Sequence, residues 1–101
     1  MKESLEFYID GAWVAPSAKN PLPVLNPATE EPIGDIALGT RADVDAAVAA
    51  ARRAFPSFSE TSREERLALL GKIGEAYQKR YAEMVETISL EMGAPVWLSK
   101  A

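Results

Sequence analysis

The chain reads as an α/β fold in which short strands come first and helices follow, and three observations carry that reading. Asp10-Gly11 stands between two short strand-like runs, Thr40-Arg41-Ala42-Asp43 follows an apolar strand pattern closed by Gly39, and apolar residues recur at steps of three and four from Leu67 to Met92.

Asp-Gly supplies the two positive φ values of a tight hairpin turn, so residues 7–14 are expected to form a β-hairpin. Residues 15–23 carry Pro16, Ser17, Asn20, Pro21 and Pro23 and read as an irregular loop, with Val24-Leu25 as at most one or two extended residues. Asn26, Pro27, Glu31 and Pro32 bracket a turn, and regular structure is expected to resume only after Pro32. Ile33, Ile36 and Leu38 then mark a strand. Gly34 and Asp35 interrupt it, which favours a short or partly exposed strand over a buried central one.

The Thr40-x-x-Asp43 pattern is a helix start, because the threonine oxygen can accept the free Asp43 amide. Val44, Ala47, Val48, Ala51 and Phe55 mark one face, Arg52 and Arg53 suit a C-terminal end, and Pro56 is expected to stop the helix. The alanines at 46–51 leave a thin helix that a neighbour can approach closely. The next helix has two candidate caps, Thr61 with Glu64 or Ser62 with Glu65. Its apolar stripe runs through Leu67, Leu70, Ile73, Tyr77, Tyr81, Met84, Ile88 and Met92, and the Lys79-Arg80-Tyr81 junction divides it into helices near 62–79 and 81–92. Tyr77 and Tyr81 read as core residues with a polar tip. Gly93 is a C-terminal cap and Pro95 a first-turn residue of a short last helix holding Val96, Trp97 and Leu98.

Composition bounds the function. The chain is 48% hydrophobic and 26% charged, and no apolar run nears the ~18 residues of a membrane span, so a membrane protein is not expected. No apolar leader follows Met1, which makes a cytoplasmic address the expectation. The formal net charge of −4 comes from residues 1–40, which hold two lysines against six acids; no basic face for nucleic acid results. With no cysteine and no histidine, the chain itself has no thiol nucleophile, disulfide or imidazole acid–base chemistry. The glycines at 34 and 39 lack the lysine of a phosphate-binding loop, and the neighbouring pairs Glu30-Glu31 and Glu64-Glu65 point apart and do not converge on one substrate atom.

Five fragments in order, Phe7-Tyr8-Ile9-Asp10-Gly11-Ala12-Trp13, Asn26-Pro27-Ala28-Thr29, Val48 to Phe55, Arg63 to Leu67 and Glu91-Met92-Gly93-Ala94-Pro95, resemble the opening of the aldehyde dehydrogenase superfamily. The resemblance implies that residues 1–101 are a truncated N-terminal segment of a Rossmann-like cofactor-binding domain, a short hairpin and strand followed by three helices. It further implies a parent enzyme in which a cysteine thiolate attacks an aldehyde, hydride passes to NAD or NADP, and a carboxylic acid is released. No catalytic or cofactor-binding residue of that machinery matches this chain, so the chain alone is expected to be inactive scaffold and to bind no cofactor. Its expected partner is the remainder of such an enzyme, a homo-oligomer acting on an aldehyde. The resemblance also implies a monovalent cation held by the backbone carbonyls of Val24 and Leu25 and by the Glu91 carboxylate. A reading from another class is a free-standing helical module that docks a partner helix or self-associates through the 67–92 stripe. On the fragment reading, apolar side chains such as Trp97 are expected to lie exposed or to be covered by self-association.

Overall fold

A computed structural model describes residues 2–101. The strands are β1 (Lys2–Ser4), β2 (Phe7–Ile9), β3 (Ala12–Val14), β4 (Pro21–Leu25) and β5 (Pro32–Ala37). The helices are α1 (Arg41–Ser59), α2 (Arg63–Lys79), α3 (Tyr81–Met92) and α4 (Val96–Ser99). They fall into two compact units: the chain up to Leu25 together with Pro32–Ser59, and Asn26–Glu31 together with Glu60–Ala101.

In the first unit β2 and β3 form the expected hairpin, with Asp10 at φ 55° and Gly11 at φ 79°. A two-residue turn with both φ values positive matches the right-handed twist of the flanking strands, and the Tyr8 and Trp13 rings, paired across it, meet edge to face at 5.3 Å. Beside the hairpin lies a three-stranded mixed sheet in the order β1-β5-β4. β1, too short and polar to be legible as a strand, runs parallel to β5 with Lys2 opposite Gly34.

β4 corrects the reading of 15–23 as loop, and the reason lies in its register. The Leu38 amide donates to the Asn20 carbonyl at 2.9 Å, so residues 20, 22 and 24 share the hydrogen-bonding side of the ladder. Pro21 and Pro23 therefore stand opposite Ala37 and Asp35 with their missing N–H groups on the open side of an edge strand, where no donor is needed. Pro32 is likewise the first residue of β5, a position that tolerates proline, so the strand starts at the proline and not after it. β5 is short and partly exposed as expected, yet it occupies the centre of its sheet; Gly34 is its buried residue.

Helix α1 starts at Arg41, directly after Thr40, as the capping pattern requires. It does not stop at Pro56. A proline removes one amide and crowds the carbonyl four residues back, but here only the final turn follows it. The Ser57 hydroxyl donates to the Ala54 carbonyl and the Ser59 hydroxyl to that of Pro56, at 3.3 and 2.8 Å, engaging carbonyls of that frayed end. Arg52 and Arg53 consequently sit inside the helix and leave its last turn without a basic residue.

In the second unit Ser62 wins over Thr61 as the cap of α2: the Glu65 amide donates to Ser62 Oγ at 3.1 Å and the Ser62 amide to Glu65 Oε2 at 2.6 Å. Arg80, at φ −113° and ψ 10°, separates α2 from α3 where the junction was expected. Gly93 closes α3 at φ 69°, and Pro95 caps α4 from just outside its first turn.

Neither unit encloses much interior. Gly34, Ala50, Val85 and Ser99 are the buried residues among those described. The apolar stripe of α2 lies open, with Leu67, Leu70 and Ile73 at 54, 63 and 55% exposure. Tyr77, read as core, is exposed because nothing among the described residues covers that side of α2, and Tyr81 is half-buried; their rings meet edge to face, and the Tyr81 hydroxyl donates to the Lys100 carbonyl. Trp97 is exposed, as expected.

Candidate functional site

The residues nominated for a cation lie at two element ends. Val24 faces Gly34 and Leu25 faces Pro32 at the end of the β4–β5 ladder, where the register shifts between them. Residues 22 and 24 take the hydrogen-bonding side and the Asn26 amide donates to the Glu31 carbonyl, so the Leu25 carbonyl between them faces the open side of the edge strand, away from β5. Glu91 is exposed in the last turn of α3, which contains no basic residue. A carboxylate at the negative end of a helix dipole is electrostatically unfavourable without a cation. Val24 and Leu25 belong to the first unit and Glu91 to the second. Among the described residues no group of three acidic, histidine or cysteine side chains converges on a metal position.

The densest polar cluster was not legible in the sequence. The Ser17 amide donates to Asp43 Oδ1 at 2.9 Å and the Thr40 amide to Oδ2 at 2.8 Å, while the Ser17 and Thr40 hydroxyls each donate to Oδ2 at 3.2 Å. The Thr40 and Ser17 amides hold the Asp43 carboxyl below the usual carboxylate range. Thr40 and Asp43 were visible as a cap; Ser17 comes from the loop before β4, and no local pattern reports a contact between residues so far apart. The cluster ties that loop to the start of α1. Its bonds run from the loop to the helix start, which makes it a structural latch.

The thin helix has the neighbour its alanines allow. Tyr8, Ile9, Asp10 and Gly11 of the hairpin line one groove with Ala47, Ala50, Ala51 and Ala54, and Arg53 reaches Asp10 Oδ2 at 3.1 Å from the same helix. A second groove of about 430 Å³ is lined chiefly by Phe7, Tyr8, Ile9, Val44 and Ala47. Glu6 and Asp43 also line the second groove, and the Asp43 carboxylate there is engaged by Ser17 and Thr40.

Fold and site together define a class: an α/β framework segment, capped and latched at its strand-to-helix joins, with apolar helix faces left open. Its family follows from comparison with known proteins. Residues 13–101 match the aldehyde dehydrogenase family, and the chain belongs to it. It is 48% identical over 96 residues to a 3-succinoylsemialdehyde-pyridine dehydrogenase from a Pseudomonas species, covering 95% of this chain and 20% of that protein. Among solved structures, the aldehyde dehydrogenase of Bartonella henselae matches 98% of this chain at TM-score 0.95 and 44% identity, over 21% of its own length. Aldehyde dehydrogenase C of Pseudomonas syringae, a mutant solved with NAD+ and octanal, matches 97% of this chain at TM-score 0.93 and 48% identity, over 20% of its length. The chain thus spans about a fifth of the length of the relatives it matches and corresponds to their N-terminal part.

Proposed function

We propose that this chain is framework for an NAD(P)-dependent aldehyde dehydrogenase: residues 1–101 supply an incomplete N-terminal segment of its cofactor-binding domain, and the rest of such an enzyme supplies the reactive groups. The observation that carries the reading is the near-complete superposition of the chain on one fifth of a larger aldehyde dehydrogenase, with the apolar side of α2 left open for further chain to cover. The completed enzyme oxidises an aldehyde to a carboxylic acid, acts as a homo-oligomer and resides in the cytoplasm. NAD(P)+ bound there supplies the hydride acceptor. No residue of this chain is given a catalytic or cofactor-binding role, and with no cysteine it is inactive alone.

The same reading includes a monovalent cation on the Val24 and Leu25 carbonyls and the Glu91 carboxylate. All-oxygen ligation suits a hard cation. The open-side Leu25 carbonyl and the lack of a basic residue beside Glu91 in the last turn of α3 both favour it.

The test is an assay in two arms. The purified chain, given octanal and NAD+ or NADP+, yields no reduced cofactor; mixed with a polypeptide comprising the remaining four fifths of a close relative, it restores turnover. Turnover by the chain alone, or no complementation by a chain that binds its counterpart, overturns the proposal. The open α2 side also favours a second reading, self-association, which concentration-dependent light scattering of the chain alone detects.

A further inference from the structure

We propose that Pro27 and Gly93 form a clasp that makes the Asn26–Glu31 turn order and open together with the end of α3. Both residues lie in the second unit, to which the turn belongs although it connects two strands of the first. A Cβ built at Gly93 would stand 2.9 Å from Pro27 Cγ, closer than real Cβ atoms come, so ring and glycine are in direct apposition. Residue 93 therefore lacks a side chain for two separable reasons. Its φ of 69° disfavours one, and the Pro27 ring occupies the space one would take.

The turn is otherwise held by its own short bonds. The Asn26 amide donates to the Glu31 carbonyl at 2.9 Å, the Glu30 amide to the Asn26 carbonyl at 2.7 Å, and the Ala28 amide to Asn26 Oδ1 at 2.9 Å, with Glu30 at the strained φ of 61°. Six exposed or half-buried residues with one left-handed non-glycine carry little stability of their own. The ring of Pro27 seated on Gly93 supplies an apolar contact to a helix end that is itself closed by the Gly93 amide on the Ser89 carbonyl and the Ser89 hydroxyl on the Ala94 carbonyl. Opening of either side releases the other.

A double-mutant cycle read by amide hydrogen exchange tests this in the full chain. Gly93→Ala loses protection at the Asn26, Ala28 and Glu30 amides by about tenfold or more. Pro27→Ala removes Cγ and leaves Cβ 3.7 Å from the new methyl, an ordinary contact, so the Gly93→Ala loss is several-fold smaller in that background. Gly93→Asn, whose side chain tolerates positive φ but not the ring, loses the same protection and keeps α3 folded. Equal losses with and without the Pro27 ring would assign the whole effect to backbone conformation and overturn the clasp, as would turn amides unmoved by either Gly93 variant.

Discussion

The Ser17 amide donates to the Asp43 carboxylate at 2.9 Å across 26 positions of chain, joining the loop that leads into β4 to the first turn of α1. Asp43→Asn keeps the size of the side chain and loses the charge that both amides stabilise, so the Ser17 amide is expected to exchange faster while the β2–β3 hairpin amides are unchanged. The pH dependence has a definite sign. Folding lowers the Asp43 pKa from its ordinary 3.8, chiefly through the Thr40 amide and then that of Ser17, so the unfolded chain binds the proton more readily. The stabilisation is complete above the ordinary value and is lost as pH falls through the lower, folded one. NMR titration of the Ser17 amide in acid follows it; a midpoint above 3.8 would contradict the assignment.

Ser62 and Glu65 cap α2 reciprocally. Ser62→Ala is expected to cost about 1 kcal/mol in denaturant unfolding. The Glu65 carboxyl is also held below its usual range by the Ser62 amide and then its hydroxyl, so its contribution likewise disappears only on acidification. Thr61→Ala, at the alternative cap, should leave the α2 start in place by hydrogen exchange.

Gly11 at φ 79° is the turn position most sensitive to a side chain. Gly11→Ala is expected to destabilise by roughly 1–2 kcal/mol, seen as a lower denaturation midpoint. Asp10→Gly relieves a positive φ but releases Arg53, and its backbone gain is offset by the flexibility that glycine adds to the unfolded chain.

Pro56 remains the local conflict in α1. Pro56→Ala restores an amide for the Arg52 carbonyl and removes the ring's crowding, against a more flexible unfolded chain. The expected net is roughly 1–2 kcal/mol of added stability with increased helical circular dichroism. Unchanged stability would mean that the final turn contributes nothing.

Leu70 separates folding of the chain from its role as framework. At 63% exposure, Leu70→Lys should change stability of the chain by no more than about 0.5 kcal/mol. If the α2 side receives the rest of an aldehyde dehydrogenase, the same change abolishes complementation, because a lysine head group would be buried without a partner.

The sequence by itself determined the hairpin turn, the Thr40 cap of α1, the start of α2 to within one residue, the α2–α3 break and the glycine stop, because each rests on residues within four positions of one another. It also determined, by composition, that no thiol or imidazole chemistry belongs to this chain. Only the tertiary structure decided that two prolines could lie in β4, since their tolerance depends on which edge faces β5, and that Ser17 meets Asp43, a contact between distant segments. Exposure was likewise beyond the pattern: the spacing of Leu67, Leu70 and Ile73 says that they share a helix face, but burial depends on whether another surface is present to cover it.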